Sequence, residues 1–155
     1  MMTSSRSSAV IALLSSLLAG SVTAQSAADS AGIRSAALDY IEGWYTADAR
    51  RMEQALHPAL AKRIVETDPK SHKSVISQMG ATELIQYTRA GGGRETPAKR
   101  RQADVSILDI YRGAASAKVV AADWVDYLHL ARWNGRWLIV NVLWESKPIE
   151  ARVTK

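Results

Sequence analysis

AKVVAADWVDYLHLARWNGRWLIVNVLWE, residues 117–145, decides the fold of this chain. The stretch contains two long segments of strand-forming residues separated by Asn134-Gly135, a pattern that is typical of a β-hairpin. A strand with one face in water alternates apolar and polar residues, whereas these two segments are apolar on both faces. We therefore expect the hairpin to be covered twice, by helices on one face and by another protein surface on the opposite face.

The turn of this hairpin sets its register, and two turns fit the sequence. A two-residue turn pairs Trp133 with Arg136, whereas a three-residue loop pairs Arg132 with Arg136. The choice matters because a slip of one residue moves a whole strand to the other face of the sheet. We favour the three-residue loop, with Gly135 in a left-handed bulge.

The favoured register sorts the hairpin side chains between two faces, and it sets Asp126 alongside Val142. The face expected beneath the helices holds Trp124, Asp126, Leu128, Leu130, Leu138, Val140, Val142 and Trp144. The opposite face, which we expect to contact a second subunit, holds Val125, Tyr127, His129, Ile139, Asn141 and Leu143.

Two carboxylates, Asp123 and Asp126, lie within this apolar hairpin. Carboxylates are rarely buried without a partner or a function, so the hairpin indicates a pocket. An apolar sheet face favours the neutral form of Asp126, which could then donate a hydrogen bond to a ligand oxygen. We expect Asp123 to pair with Arg132, Arg136 or a lysine at the end of the sheet.

Residues 1–24 have the pattern of a secretory signal peptide. Arg6 supplies the positive charge, an apolar stretch follows, and Val22-Thr23-Ala24 gives the small residues of a cleavage site. The apolar stretch is too short for a stable membrane span. We therefore expect a secreted or periplasmic protein, no membrane span after cleavage, and one mature domain over residues 25–155.

Composition narrows the classes of site that this chain can hold. There is no cysteine, which excludes disulfides, thiol nucleophiles and zinc–thiolate or iron–sulfur centres. The three histidines show no clustered spacing, so we predict neither a metal site nor a cofactor. The formal charge of +5 becomes +4 without Arg6. We assign this mild excess to a solvated surface and predict no nucleic-acid partner.

Helix signals dominate the first half of the mature chain, and strand signals dominate the last third. A first helix is predicted from a cap at Ser30 to about Thr46, with Tyr40 and Trp44 in its apolar stripe. Shorter helices are predicted at Ala49–Leu56 and Thr82–Ala90, and earlier strands at Ala61–Glu66, Ser74–Met79 and Ala103–Tyr111. This order predicts an α+β fold in which three N-terminal helices pack on a curved antiparallel β-sheet.

Three motifs in the chain resemble a known superfamily. They are DYIEGWYTADARRMEQALHP (Asp39–Pro58), ELIQYTRAGGG (Glu83–Gly93) and WVDYLHLARWNGRWLIVNVLWE (Trp124–Glu145). They are similar to the nuclear-transport-factor-2-like (NTF2-like) superfamily and, within it, to the group named "putative lumazine-binding" proteins. The resemblance covers nearly all of the mature chain. It implies a cone of three helices against a bent antiparallel sheet, and it leaves the ligand open.

The superfamily includes a steroid isomerase that binds its substrate oxygen with a tyrosine and a carboxylic acid. The resemblance places Tyr40 at the tyrosine position, Asp126 at the acid position and Trp144 at an aromatic pocket position. The general base of the isomerase falls in Lys62–Val65, where this chain has no carboxylate. Proton transfer needs a base within reach of the substrate carbon, so the resemblance does not favour isomerase activity.

The superfamily also includes a dehydratase that works with histidine and aspartate, which draws attention to His129 and Asp123. In the favoured register, both residues lie on the face opposite Asp126. A divided set of groups is a poor catalyst, because the reacting atoms need all of them within hydrogen-bond reach.

Our main hypothesis is an exported, non-catalytic domain that binds a small molecule or serves as an accessory protein. We expect the ligand to be small, flat or partly apolar, and to carry an acceptor oxygen. The expected ligand pocket consists of Tyr40, Trp44, Trp124, Asp126, Leu128, Val142 and Trp144. The expected partner is a second copy of the chain, because a homodimer would cover the outward face of the hairpin.

Two alternatives stay open at this stage. The first is an isomerase or dehydratase that acts on a small carbonyl compound with Tyr40 and Asp126, and a third titratable side chain in the cavity would favour it. The second is a structural module in which tryptophans fill the interior. Tyr40 and Asp126 either contact the ligand or hydrogen-bond only to each other.

Overall fold

The computed structural model describes residues 8–148, with side chains from residue 26 onward. The predicted signal peptide, residues 1–24, lies outside the residues whose side chains are described, and it stays a prediction. In the described part of the chain, no helix has both the length and the apolar character that a membrane span needs. The chain divides into two units, Met1–Ala31 and Gly32–Lys155, and the second of these contains the sheet and the core.

The described chain folds as an α+β protein with three α-helices and six strands. The helices and strands are α1 (Ser8–Thr46), α2 (Ala49–Ala55), β1 (Leu56–Thr67), β2 (Ser74–Met79), α3 (Ala81–Arg89), β3 (Ala103–Tyr111), β4 (Ala114–Ala121), β5 (Trp124–Trp133) and β6 (Arg136–Ser146), with a short 3₁₀ turn at Ala98–Arg100. The predicted α+β class is confirmed. The predicted cap at Ser30 is wrong, because α1 continues through that residue.

The six strands form one sheet in the order β2-β1-β6-β5-β4-β3. Four of its pairings are antiparallel, but β1 runs parallel to β6. The predicted antiparallel sheet is therefore wrong at this one pairing. A tight turn forces its two strands to be antiparallel, whereas β1 and β6 are far apart in the chain and no turn fixes their relative direction.

The β5–β6 hairpin closes through the two-residue turn, with Trp133 paired to Arg136. Asn134 and Gly135 both have positive φ, 49° and 79°, as the primed turn of a two-residue hairpin requires. The favoured three-residue loop is therefore wrong. Asn-Gly is the dipeptide that adopts this turn most readily, and its local preference decides the register beside it.

A bulge farther along β6 changes the register once more. His129 pairs with Asn141 and Leu130 pairs with Ile139, so that Val140 is the extra residue. Ile139 therefore lies on the inward face, where it is completely buried, and its predicted place on the outward face is wrong. Beyond the bulge, Asp126 pairs with Trp144 rather than with Val142.

The core lies between the apolar stripe of α1 and the inward face of the sheet. It includes Ile33, Ala37 and Ile41 from the helix and Val119, Leu128 and Val142 from the strands, all of them completely buried. The helix stripe predicted from the sequence is therefore the one that packs. Asp126 is also completely buried in this region, so the sheet brings a carboxylate into an otherwise apolar interior.

Three glycines follow α3, and the last two, Gly92 and Gly93, lie close to Trp44. Gly91 has a φ of 92°, a conformation that glycine adopts without strain and that ends the helix. A Cβ atom on Gly92 or Gly93 would overlap the indole of Trp44. Gly91 therefore ends α3, and the next two glycines allow the chain to approach one wall of the interior.

Candidate functional site

A cavity of about 270 Å³ opens between the helices and one end of the sheet. Its lining is mostly apolar and aromatic, and it consists of Tyr40, Ile41, Trp44, Met52, Lys62, Met79, Leu84, Tyr87, Trp124 and Trp144. Ligand pockets usually enclose ~300–1,000 Å³. This cavity is therefore suited to a molecule at the small end of that range.

Lys62 is the lysine in this lining, and its side chain is almost completely buried. Its Nζ lies 2.8 Å from Oδ1 of Asp126 and 2.6 Å from the hydroxyl of Tyr40. The Tyr40 hydroxyl in turn donates to the same Asp126 oxygen over 3.1 Å. Three buried polar side chains from α1, β1 and β5 therefore form one closed cluster.

The second oxygen of Asp126 is also occupied. Its Oδ2 accepts a hydrogen bond of 2.6 Å from Nε1 of Trp124, which lies two residues earlier on β5. Asp126 thus accepts from Tyr40, Lys62 and Trp124. This differs from the predicted neutral acid that donates to a ligand, because the ammonium group of Lys62 lies beside the carboxylate.

Burial and charge act in opposite directions on Lys62. Burial lowers the pKa of its ammonium group from the ordinary value, because an apolar environment disfavours the charged form, while the charge and the hydrogen bond of Asp126 work to raise it. Nζ also lies 4.9 Å from the centre of the Trp144 ring, whose π face attracts a cation.

Tyr40 keeps its proton throughout the physiological range. Its pKa is raised well above the ordinary value, first by burial and then by the charge of Asp126 and the hydrogen bond to it. The phenol is therefore a hydrogen-bond donor to Asp126 and an acceptor from Lys62, and it does not ionise near neutral pH.

Lys62 is not among the site residues predicted from the sequence. The resemblance to the isomerase points to this segment only as the place of a missing carboxylate. The sequence carries a signal for this position, because Lys62 lies midway between two apolar residues, Leu60 and Ile64, at a spacing of two. In the structure all three residues are buried and alternate with more exposed ones. In a strand, this spacing places Lys62 on the apolar face.

The predicted pocket residues fall into three groups. Tyr40, Trp44, Trp124 and Trp144 line the cavity. Asp126 lies behind Lys62 and touches the lining residues through hydrogen bonds. Leu128 and Val142 are completely buried and are not in the cavity lining. Contact of any of these residues with a ligand stays a prediction.

The predicted dimer face is partly exposed. Tyr127 and Leu143 pair with each other across β5 and β6 and remain about half exposed, at 47% and 49%. Beside them, His129 lies 3.3 Å from the amide of Asn141, which accepts a hydrogen bond from Arg63. This face carries an apolar pair flanked by polar side chains.

The carboxylate of Asp123 has a partner that the sequence did not single out. It accepts a hydrogen bond of 2.7 Å from Arg100, in the 3₁₀ turn before β3. Asp123 and His129 lie outside the cavity lining. Among the described residues, no group of three His, Asp or Glu side chains is arranged to hold a metal ion.

Residues 28–145 match the model of the protein family described as "Putative lumazine-binding". The chain belongs to this family. The matched segment contains α2, α3 and all of β1 to β5, together with the part of α1 that carries Tyr40. No curated protein matches the chain.

Solved structures of low sequence identity share the fold of this family member. An NTF2-like protein of unknown function from Shewanella baltica is 20% identical, with a TM-score of 0.58 over 79% of this chain and 96% of that one. A second, from Methylobacillus flagellatus, is 21% identical, with a TM-score of 0.60 over 77% and 93%. An NTF2-like protein with a cystatin-like fold from Novosphingobium aromaticivorans is 11% identical, with a TM-score of 0.60 over 85% and 92%. These matches establish the NTF2-like fold.

Removing the charge of Lys62 should destabilise the protein strongly. Lys62→Met leaves a buried carboxylate without its cation, so we expect the free energy of unfolding to fall by about 3–5 kcal/mol. Adding Asp126→Asn to this variant removes the unpaired charge and should restore part of the loss. Urea denaturation followed by circular dichroism measures both effects.

The matched control is Arg63→Met, which removes a neighbouring cation on the other face of β1. It loses a hydrogen bond to Asn141 that is only partly buried, and we expect a much smaller effect. A Lys62→Met variant no less stable than Arg63→Met would contradict the assignment of a buried ion pair.

Proposed function

We propose that this chain is an exported, non-catalytic domain of the lumazine-binding family that binds a small, flat, largely apolar molecule with an acceptor oxygen. The observation that carries the proposal is the ammonium group of Lys62 in the wall of an aromatic cavity. An apolar cavity with one charged donor binds a molecule by shape and fixes its orientation through one polar contact.

Lys62 has one N–H group that can donate a hydrogen bond to such a molecule. A lysine ammonium carries three N–H groups. Two of them are directed to Tyr40 and Asp126, which leaves one for an acceptor atom in the cavity. Because Asp126 balances the charge of Lys62, the site favours a neutral acceptor such as a carbonyl oxygen over a second carboxylate.

The aromatic lining supports a flat ligand. Trp44, Trp124, Trp144 and Tyr87 present ring surfaces to the cavity, and aromatic rings pack well against flat, conjugated molecules. Lumazine, which appears in the description of the family, is a flat bicyclic compound with carbonyl oxygens. It is therefore a suitable first probe for this cavity.

The same geometry argues against the catalytic alternative with Tyr40 and Asp126. Besides Tyr40, the cavity lining contains two titratable side chains: Tyr87, whose hydroxyl donates to Glu83, and Lys62, which is in an ion pair. A protonated lysine is not a base, and Asp126 is behind the lining and accepts three hydrogen bonds. Neither group is placed to take a proton from a substrate carbon.

We also propose a homodimer formed through the outward face of the β5–β6 hairpin, around Val125, Tyr127 and Leu143. Exposed apolar residues that adjoin one another on a sheet face support an interface. A two-fold axis would place the same patch of each subunit against its copy, which is the commonest arrangement of soluble dimers. The face is opposite to the cavity, so dimer formation leaves the cavity accessible.

Filling the cavity should abolish ligand binding. Met79 lies in the lining and pairs with Lys62 across β1 and β2, so the indole of Met79→Trp would occupy the space. We expect saturable quenching of tryptophan fluorescence by lumazine in the natural chain and none in this variant. Val75→Trp, at an exposed position on the same face of β2, is the matched control and should still bind.

The proposal also predicts that protein purified from its own host retains a small molecule in native mass spectrometry. A chain that neither binds lumazine nor retains any small molecule would contradict the proposed function. Thermal unfolding of Met79→Trp shows whether the variant is folded.

A charge in the outward face should disrupt the dimer. Leu143→Asp places a carboxylate at the centre of the proposed interface, where its partner copy would repel it and desolvation would disfavour it. We expect twice the chain mass for the natural protein by light scattering and the single chain mass for the variant. Val75→Asp, exposed on the opposite face of the sheet, should remain dimeric. A natural chain that is monomeric at micromolar concentration would exclude this interface.

If the chain is exported, its mature form should have a defined N-terminus. Arg6, the apolar stretch and Val22-Thr23-Ala24 support cleavage after Ala24. When the full chain is produced in a Gram-negative bacterium, we expect the periplasmic protein to begin at Gln25. Ala24→Leu should block processing, because the signal peptidase accepts small residues at that position. An uncleaved natural chain that starts at Met1 would contradict the proposal.

A further inference from the structure

The position of Lys62 gives its amine a chemical property beyond hydrogen bonding. The lysine is 7% exposed and lies in the wall of an otherwise largely apolar cavity. Within 3 Å of Nζ lie a carboxylate that can accept a proton and a phenol that can pass one on. Amines that form covalent adducts with carbonyl compounds are found in this kind of setting, desolvated and beside an acid–base group.

We propose that Lys62 binds small apolar aldehydes or ketones covalently and reversibly, as an imine at Nζ. This inference rests on the proposed function, because the carbonyl compound enters the same cavity. It adds a chemical class of ligand and a bond to one named atom.

Asp126 can take and return the proton that imine formation at Lys62 requires. Asp126 first takes a proton from the ammonium group over the 2.8 Å contact, which leaves a neutral amine and a carboxylic acid. The lone pair of Nζ forms a bond to the carbonyl carbon, and a proton moves from nitrogen to the former carbonyl oxygen to give a carbinolamine. Asp126 then returns its proton to that hydroxyl, which leaves as water while nitrogen forms the C=N bond.

The product keeps the charges of the starting pair. A lysine ammonium and a carbonyl compound become a protonated imine and water, and Asp126 is a carboxylate again. The ion pair is therefore present before and after the reaction, and the Trp144 ring lies beside a cation in both states. The reaction needs no oxidant, reductant or metal.

The surroundings of Lys62 favour both the reaction and one class of substrate. Burial lowers the pKa of the ammonium group, which raises the fraction of amine available for attack. Among the residues whose side chains are described, the cavity lining contains no arginine and no second lysine, so a substrate carboxylate would lack a cation of its own. Uncharged carbonyl compounds with a flat apolar body fit this lining.

Reductive trapping tests the proposal. The full chain is incubated with benzaldehyde and sodium cyanoborohydride, which converts an imine into a stable benzyl amine, and each lysine is followed by peptide mass mapping. We expect Lys62 to acquire the benzyl group several-fold faster than the exposed Lys70. Asp126→Asn should slow the modification of Lys62 selectively, and Lys62→Arg should leave only the slow background.

Two further measurements separate this inference from the proposed function. Lumazine should protect Lys62, and not Lys70, from the benzyl modification. If lumazine binds while Lys62 is modified no faster than Lys70, the covalent reaction is excluded and the non-covalent binding domain remains. Both proposals are wrong if neither lumazine nor benzaldehyde enters the cavity. That result would appear as equal fluorescence quenching and equal Lys62 modification in Met79→Trp and in the natural chain.

Discussion

The ion pair between Lys62 and Asp126 is the constraint on which the rest of the structure depends. Both charges are withdrawn from water, which is unfavourable unless each is neutralised and hydrogen-bonded. β6 lies between the two strands that carry them, so the parallel register of β1 on β6 and the antiparallel register of β5 on β6 must both be correct for the charges to meet. Tyr40 and Trp124 then complete the hydrogen bonds of the carboxylate.

The same pair explains why the interior opens into a cavity at this end of the sheet. A lysine side chain reaches across the sheet face to its carboxylate, and aromatic rings surround it instead of filling the space closely. The cavity therefore has one polar wall and several flat apolar ones. Its chemistry follows from two residues whose partnership also stabilises the fold, so the site and the fold share one set of contacts.

Local patterns in the sequence predict much of this architecture and fail where distant strands meet. The stripe of α1, the span of β3 and the inward orientation of Asp126 all follow from periodicity. The predicted hairpin register differs from the observed one because Asn134-Gly135 closes a two-residue turn and Val140 bulges. Each effect shifts the pairing of β5 with β6 by one residue in the same direction, so beyond the bulge the shift is two residues and each side chain returns to its predicted face. Lys62 was missed because the pairing of β1 with β6 is not local, and only that pairing brings the lysine to the carboxylate.

The central claim is that Lys62 is a protonated, buried donor held by Asp126 and Tyr40, and nuclear magnetic resonance of the lysine ammonium groups tests it most directly. Exposed ammonium protons exchange with water too fast to be resolved at neutral pH and room temperature, whereas a buried and hydrogen-bonded group exchanges slowly. The account predicts one protected ammonium signal that disappears in Lys62→Arg. A spectrum in which no lysine is protected, or in which the protected signal persists in that variant, would contradict it.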